Sequence, residues 1–183
     1  MYVQKRPYFI DKNLLYLFSF EANLEMKPEE IGFVPGGVRV NIRAKPGTPV
    51  YHVMNEKSFR GEETLRGEVI DGGDRAFLRE DDIAEIDVRL TIRTDDRELI
   101  YARYSGRLWL GTRGFRRFVT KKPKLGTEQQ PFVAPVTIAP VFETKSVKYA
   151  WLSQYQCVGF GQMKIIDSKA TTGSFDVCAA VAQ

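Results

Sequence analysis

The sequence predicts an all-β protein in which one antiparallel sheet closes into a barrel. Along most of the chain, apolar residues recur at every second position, as they do when alternate side chains of a strand face a core. The apolar stretches are rich in β-branched and aromatic residues, and Gly or Pro marks the breaks between them. Helical periodicity is scarce, so the sheet must either close on itself or pack face to face, because open edges invite aggregation. Of these two arrangements, we expect the barrel.

Strand patterns occur from residue 14 to the end of the chain. The clearest is IAEIDVRLTIRT at 83–94, where Ile86 and Val88 point one way while Asp87 and Arg89 point the other. The three residues after it predict a turn into the next strand, so these two strands form a hairpin. The other predicted strands are LLYLFSFEANL (14–24), VRVNIRA (38–44), LRGEVI (65–70), RAFLR (75–79), ELIYARY (98–104), GRLWLG (106–111), KYAWLSQYQCVGFG (148–161) and the tail SFDVCAAVA.

The composition changes between Arg113 and Glu143, where prolines and polar residues interrupt the strand pattern. Proline cannot donate a ladder hydrogen bond, so this segment is a poor central strand. We therefore predict a long loop at about 113–143, which in a compact domain is often a lid or an oligomer contact. No linker divides the chain, so residues 1–183 are predicted to form one domain.

Composition is that of an ordinary folded protein. The chain has 183 residues, of which 43% are hydrophobic and 27% charged, with a formal net charge of +4. A chain of this length can bury a large core as a single domain. Cys157 and Cys178 lack the spacing of a zinc site or a redox pair, which favours a reducing cytoplasm. The uncharged run 13–20 is too short to span a bilayer, and we expect neither a signal peptide nor a membrane helix.

The glycine pair Gly159 and Gly161 raises the question of a nucleotide-binding turn. Lys164 stands where the third glycine of a dinucleotide fingerprint would lie, and the chain continues in a strand pattern instead of a helix. Neither a phosphate-binding loop nor a serine nucleophile elbow is present in the sequence. We therefore expect no cofactor, and we interpret the two glycines as a bulge or a close backbone approach.

Basic residues cluster between Arg113 and Lys124. The cluster is either an anion or nucleic-acid patch or a solvated loop, and the second interpretation is favoured because the sequence holds no known nucleic-acid-binding module. His52 is the single histidine, which excludes a multi-histidine metal site. His52 is either a general base in a pocket or a partly exposed strand residue.

Two candidate sets of polar and aromatic residues remain. Asp87, Arg89, Thr91 and Arg93 share one face of their strand, and Asp74 follows a predicted turn at two glycines. Such a face usually meets solvent; alternatively it lines the barrel, where an Asp and an Arg could fix a carboxylate, enol or carbonyl group. The aromatic residues with polar tips suit either a core or a flat ligand site, and they are Tyr101, Tyr104, Trp109, Tyr149, Trp151 and Tyr155.

Three blocks of the sequence carry a shared pattern, and they are FRGEETLRGEVIDGGD (59–74), EIDVRLTIRTDDRELIYARYSG (85–106) and YAWLSQYQCVGFG (149–161). In this order, the blocks resemble domain-of-unknown-function family 3237. They are similar to the family pattern Gly-x-Val-x-x-Gly-Gly-x-Asp, then Asp-x-Arg-Tyr with Thr-x-Asp-Gly and Ile-Tyr, then Tyr-x-Trp-Leu-Asn ending in Gly-x-Gly. The sequence departs from this pattern at Asp74, one residue early, at Arg97 in place of a turn glycine, and at Ser153 in place of Asn.

The resemblance implies an antiparallel β-barrel that often self-associates and has a central cavity, towards which Asp74, Arg89 and Trp151 face. From this we predict a calycin-like barrel that acts without a cofactor, as an isomerase, cyclase or lyase of secondary metabolism, on a hydrophobic or aromatic carbonyl-containing metabolite. The alternative is a non-catalytic carrier or sensor of a small apolar ligand. We expect a cytoplasmic homo-oligomer that binds neither membrane nor nucleic acid.

Each predicted site residue has an expected role. Arg89 would hold a developing oxyanion, and Asp74 or Asp87 would be the acid or base, with a pKa raised by burial. Trp151 and Tyr101 would pack against the plane of the substrate. The remaining predicted substrate-binding residues are His52, Tyr149 and Tyr155, and no residue is assigned to a metal.

Overall fold

The computed structural model describes residues 14–25, 27–51 and 65–180, with the backbone alone for Tyr51. These residues form ten strands, one short α-helix, α1 (Gly114–Thr120), and one 3-10 helix (Ala150–Gln154). The strands are β1 (Leu14–Asn23), β2 (Glu29–Val34), β3 (Gly37–Arg43), β4 (Thr48–Tyr51), β5 (Gly67–Arg79), β6 (Ile83–Thr94), β7 (Leu99–Trp109), β8 (Phe132–Glu143), β9 (Gln156–Ile166) and β10 (Lys169–Ala180). His52 lies outside the described residues.

Strand β5 closes the sheet into a barrel, because it pairs with β6 on one side and with β3 and β4 on the other. Eight strands follow one another round the ring in the order β4, β1, β10, β9, β8, β7, β6 and β5, and each pairing is antiparallel. The predicted all-β barrel is therefore confirmed. The hairpin of β2 and β3 extends outside the ring, and among the described strands β2 pairs with β3 alone.

The hairpin of β6 and β7 shows which face of the sheet is the inside. The predicted pairing is confirmed and runs from Arg93 opposite Leu99 to Ile83 opposite Trp109. Along β6 every second side chain is buried, while those between are half-buried or exposed. The barrel interior is thus apolar along this strand, and the charged stripe meets solvent.

The turn predicted at the two glycines is wrong, because the chain only bends there. The strands predicted at 65–70 and 75–79 are therefore parts of one strand, β5. The pairing of β5 with β6 shifts register just before Gly72, whose φ of 127° is in the region that favours glycine. A Cβ at Gly72 would lie 2.1 Å from the carbonyl oxygen of Arg89, so no side chain fits there. The bulge returns the following residues to a regular register with β6, and Asp74 then points inward.

The long loop predicted at 113–143 is wrong for most of its length, since the segment contains α1 and the twelve residues of β8. The two prolines of β8 explain why. Pro135 lies where β8 pairs with β9, and Pro140 lies where it pairs with β7, each outside the stretch that is paired on both sides. A proline at either position therefore need not remove a ladder hydrogen bond.

The first half of the strand predicted at 148–161 is also wrong, because Ala150–Gln154 forms a 3-10 helix and β9 begins at Gln156. Tyr149 and Leu152 are both buried, and side chains three residues apart share a face in a 3-10 helix. The rest of the predicted strand, including the continuation through 163–166, is confirmed. Among the described residues, no helix is both long and apolar enough to cross a membrane.

Helix α1 and the residues after it cross the end of the barrel where β7 finishes. The carboxylate of Asp82 accepts hydrogen bonds from the backbone N–H groups of Arg113 and Phe115, both at 2.9 Å. Lys121 forms an ion pair with Glu30 of β2 at 3.1 Å. On the other side, the backbone of residues 125–126 bonds to the turn between β9 and β10. This segment therefore links β2 to the far side of the barrel end.

Candidate functional site

A small cavity lies in the middle of the barrel, with a volume of about 20 Å³. That volume has room for one or two water molecules. Asp74 and Tyr104 provide the polar side chains of its lining. The other lining residues are glycine or apolar, and they are Ala22, Leu24, Ala44, Gly73, Ile86, Val88, Leu90, Met163, Gly173 and Phe175.

Asp74 is the acid of this cavity. It follows the bulge in β5, is 4% exposed, and accepts one hydrogen bond from the backbone N–H of Asp87 at 2.9 Å. Burial raises the pKa of Asp74 from its ordinary 3.8 to about 7; the bond from Asp87 opposes the rise and the charge of Asp87 adds to it. The charges of Arg39 and Arg75 lower the pKa by smaller amounts. Near neutral pH, Asp74 can therefore both give and take a proton.

Tyr104 of β7 is 6% exposed and lines the cavity beside Asp74. Its ring lies 6.0 Å from the ring centres of both Phe20 and Phe175, which stack on each other at 5.1 Å. Burial, and then the charge of Asp74, raise the pKa of Tyr104, so its hydroxyl stays protonated at neutral pH. Sequence reasoning did not assign Tyr104 to the site. The period of two in β7, where Ile100, Ala102 and Tyr104 face inward, is the signal that could have found it.

Small and flexible residues form much of the remaining wall. Ala22, Ala44 and Gly73 leave space that larger side chains would fill. A Cβ at Gly173 would lie 2.8 Å from the ring of Phe175, so the glycine lets that ring lie flat against β10. Met163 is unbranched, and methionine adapts its shape more easily than other apolar residues. Met163 is therefore the lining residue whose side chain is expected to adjust most readily to a ligand.

Asp87 and Arg89 do not line the cavity, and the expectation that they face it is wrong. Their side chains are 50% and 52% exposed and form a solvent-facing ion pair at 3.6 Å. The reason is the alternation of β6, which turns Val88 into the cavity and the two residues beside it outward. Arg89 is therefore not placed to hold an oxyanion within the barrel.

The predicted aromatic residues are also away from Asp74. Tyr101 is 37% exposed on the outside of β7. Tyr149 is buried beside the 3-10 helix, and its hydroxyl donates to Asp96 at 3.1 Å. Trp151 and Tyr155 are half-buried and pack against the core. The indole N–H of Trp151 is buried without a hydrogen-bond partner among the described residues, and it does not line the cavity.

The described residues offer little to a metal ion. In residues 14–25, 27–51 and 65–180, no three His, Cys, Asp or Glu side chains come together as a metal-binding group. Cys157 and Cys178 are free, buried thiols, and burial raises the pKa of each to about 11. Asp74 is the acidic side chain of the cavity lining.

Much of the basic cluster at 113–124 is engaged in the fold. Arg117 donates to the carbonyl oxygens of Pro123 and Lys124, at 3.3 and 2.6 Å. Lys124 pairs with Asp167 at 3.2 Å, and Lys121 is bound to β2 as described above. These contacts support the interpretation of the cluster as a surface segment.

Fold and cavity together define the class of protein: a closed antiparallel β-barrel with a buried acid in an apolar interior. The sequence model of the family described as "Protein of unknown function (DUF3237)" matches residues 13–171, and the chain belongs to this family. The resemblance seen in the sequence is thus confirmed. A comparison with curated proteins found no match.

Solved structures with the same fold come from bacteria and a fungus. A conserved protein of unknown function from Rhodopseudomonas palustris is 23% identical, with a TM-score of 0.69 over 91% of this chain and 95% of that one. A "beta-barrel like protein" from Acinetobacter baumannii is 25% identical, with a TM-score of 0.61 over 96% of this chain and 99% of that one. An enzyme from Penicillium herquei is 17% identical, with a TM-score of 0.51 over 96% of this chain and 99% of that one.

Proposed function

We propose that the protein binds a small hydrophobic or aromatic carbonyl compound inside its barrel and that Asp74 transfers a proton to or from it. The observation that carries this proposal is a carboxyl group with a pKa near 7, 4% exposed, in an otherwise apolar cavity. A general acid or base works best when its pKa lies near the working pH. Buried acids with such pKa values are also concentrated at functional sites.

The reaction that fits is an isomerisation, cyclisation or elimination without a cofactor. The C–H bond next to the carbonyl breaks, its proton goes to Asp74, and its electron pair moves toward the carbonyl oxygen. The hydroxyl of Tyr104 would donate a hydrogen bond to that oxygen, taking the role that the sequence had suggested for Arg89. The Penicillium herquei protein is described as an enzyme, so the fold is compatible with catalysis.

A metabolite requires the cavity to widen beyond its present 20 Å³. Methionine adapts its shape more easily than other apolar residues, so widening is expected to involve Met163. Because the wall is apolar, an aromatic ligand would gain from leaving water. The proposed ligand is therefore a compact, ring-bearing molecule.

Deuterium exchange tests the proposed proton transfer. Acetophenone and the larger 2-acetylnaphthalene are incubated with protein in D₂O, and loss of the protons next to the carbonyl is followed by NMR. We expect exchange above background for the parent protein and none for Asp74→Asn. Asp71→Asn is the matched control, since Asp71 lies on the same strand and is exposed. Exchange that is equal in the parent and in Asp74→Asn would contradict the proposed role of Asp74.

The second candidate function is a non-catalytic carrier or sensor of the same kind of ligand, which the predominantly apolar lining also favours. The two differ in what happens to the ligand. Mass spectrometry of compounds that co-purify with the protein would recover the ligand unchanged from a carrier. Binding of either ketone without exchange would support the carrier, and absence of binding would contradict both candidates. A cytoplasmic location stays part of the proposal, in keeping with the free thiols.

We also propose that two copies associate through the outer face of β8 and β9. The outward residues of β8 from Val133 to Val141 are uncharged, and Phe160 of β9 is exposed beside them. Glu143 stands at one end of this face and Lys164 at the other. A two-fold axis that lies in this face and runs perpendicular to the strands would place Glu143 of each copy near Lys164 of its partner, and in this arrangement the second copy is charge-complementary.

Light scattering after size exclusion tests this association. We expect a dimer for the parent and a monomer for Phe160→Glu. The matched control is Ile31→Glu, which places the same charge on another exposed apolar position, on β2. A monomeric parent at high concentration, or a dimer that Phe160→Glu leaves intact, would contradict the proposed face.

A further inference from the structure

We propose that the cavity selects ligands whose docked oxygen is uncharged, held by Asp74 and Tyr104, and rejects carboxylates and phosphates of the same shape. This inference rests on the proposed function, because it concerns the ligand of the same cavity. It goes beyond that function by naming the charge of the ligand and by assigning Tyr104 as the residue that recognises it.

Among the residues that the structure describes, no cationic side chain lines the cavity. The arginines whose charges lower the pKa of Asp74 are Arg39 and Arg75. Arg39 lies over the ring of Phe77 at 4.7 Å and donates to the backbone carbonyl of Arg75 at 3.0 Å. Arg75 is exposed, and Phe77 is half-buried between inward-facing neighbours on β5. Both guanidinium groups therefore lie on the outer side of the sheet.

The described elements that border the cavity bring few charged or titratable groups near Asp74. From β5 the titratable or charged groups near Asp74 are Asp74 itself and Arg75; from β3, Arg39; from β6, Asp87; and from β7, Tyr104. The lining residues from β1, β9 and β10 are apolar or glycine. An anion bound here would lose its hydration without gaining a cation, and above about pH 7 it would also meet the carboxylate of Asp74.

Asp74 and Tyr104 have hydrogen-bonding capacity that a ligand could use. One oxygen of Asp74 accepts the backbone N–H of Asp87, while no hydrogen bond from the described residues occupies the other. The Tyr104 hydroxyl likewise has no partner among the described residues, and it remains a donor because its pKa is raised. A neutral carbonyl oxygen has two lone pairs and can accept from the tyrosine and from protonated Asp74 together.

A pH dependence follows from this arrangement. Below about pH 7, Asp74 carries the proton that it would donate to the ligand oxygen. Above that pH the ionised carboxylate can take a proton from the ligand, as the proposed reaction requires, but it no longer donates to the ligand oxygen and the two acceptors repel each other. Affinity for a ketone is therefore expected to fall as the pH rises through about 7.

Two matched pairs of probes test the selectivity: acetophenone against benzoate, and 2-acetylnaphthalene against 2-naphthoate. Each pair has nearly the same shape but differs by one negative charge. Protein labelled with ¹³C at the methionine methyl groups gives a local readout, because Met163 lines the cavity. At about pH 6, where both acids are ionised, we expect the ketones to bind at least about tenfold more tightly.

Three variants assign the effect to its residues. Tyr104→Phe removes one donor and should weaken ketone binding about fivefold to tenfold. Asp74→Asn keeps a donor but cannot ionise, so ketone affinity should no longer fall above about pH 7 and benzoate should bind better than it binds the parent. Tyr101→Phe is the matched control for Tyr104→Phe, since it removes the same hydroxyl from the outside of β7.

The outcomes separate this inference from the proposed function. Ketones and carboxylates that bind equally well, or carboxylates that bind better, would overturn the selectivity and leave a ligand-binding barrel. If no probe perturbs Met163, both proposals are wrong. If a variant fails to fold by circular dichroism, the comparison of ketone with carboxylate and the pH dependence of the parent still decide the question.

Discussion

Asp74 and Asp96 are the same chemical group in opposite surroundings. Asp74 lies inside the barrel with one backbone hydrogen bond, and its pKa is raised to about 7. Asp96 lies in the turn between β6 and β7, where it accepts hydrogen bonds from Lys148 at 2.7 Å, from Thr94 at 2.5 Å and from Tyr149 at 3.1 Å. These donors, led by Lys148, lower the pKa of Asp96 to about 2.

The carboxylate of Asp96 stabilises the folded protein, whereas the carboxylate of Asp74 destabilises it. Asp96 is stabilised in its charged form and links the turn to the segment before the 3-10 helix. Asp74 is destabilised in its charged form because its surroundings are apolar. A less polar residue would fit these surroundings better. A fold that keeps such a group tolerates a stability cost, which is a common feature of functional sites.

The largest expected effect is on the pH dependence of stability through Asp74. Its folded-state pKa of about 7 lies above the ordinary 3.8, so between these values the folded protein holds a proton that the unfolded chain has released. Stability due to this group therefore falls as the pH rises from about 4 to about 7. We expect Asp74→Asn to gain about 4 kcal/mol relative to the parent across that range. Urea unfolding at several pH values measures it, and a difference that does not change with pH would contradict the burial of the charge.

The second effect tests the bulge that places Asp74. Gly72→Ala must both adopt a φ of 127° and relieve a 2.1 Å approach to the carbonyl oxygen of Arg89, so we expect a loss of about 3 kcal/mol or more. Gly32→Ala is the matched control, because Gly32 also has a positive φ but has nothing within 4 Å of its added Cβ. That variant should lose about 1 kcal/mol, since only the unfavourable backbone conformation is changed. Equal losses in chemical denaturation would show that the close approach contributes nothing.

The third effect concerns the turn. Because the folded-state pKa of Asp96 is lowered below 3.8, its contribution is present at neutral pH and is lost as the pH falls through about 2. Asp96→Asn should therefore lower the melting temperature at neutral pH, and the difference from the parent should shrink in acid. The shift should be smaller than that of Asp74→Asn and should decrease in high salt, because Asp96 is exposed. Asp95→Asn, one residue earlier in the same turn, is the control and should leave the melting temperature nearly unchanged.

The smallest effect is expected on the outside of β6. Arg89→Ala removes a solvent-facing ion pair with Asp87, which is worth less than about 0.5 kcal/mol. Ketone binding should also be unchanged, since the cavity lies on the other face of the strand. A large loss of affinity in a calorimetric titration would restore Arg89 to the site and would contradict the assignment of inside and outside.

The alternation of apolar residues along the chain was enough to predict the barrel. It was not enough to predict which face of β6 lies inside or that β8 is a strand. In β6 the alternation correctly grouped Asp87 with Arg89, but it cannot say which face closes inward, because that depends on the partners of the whole sheet. Strand β8 was not predicted because it contains Pro135 and Pro140. A strand can hold a proline where it is paired on one side only, and the sequence does not show which neighbour is paired at each position. Asp74 was found because it follows two glycines in a pattern shared with its family. Tyr104 was not assigned to the site, because the sequence does not distinguish a tyrosine that packs in the core from one that contacts a ligand.

Among the described strands β2 pairs with β3 alone, so no other described strand covers its outer edge, where Ile31 and Phe33 are 62% and 71% exposed. Glu29 and Glu30 precede them, and a register shift at Gly32 bends the strand out of line. The charges and the bend hinder backbone pairing of this edge with a strand of another molecule. Replacing the two glutamates with valine would remove the negative charges from this edge, and we expect the concentrated protein then to form fibres more readily.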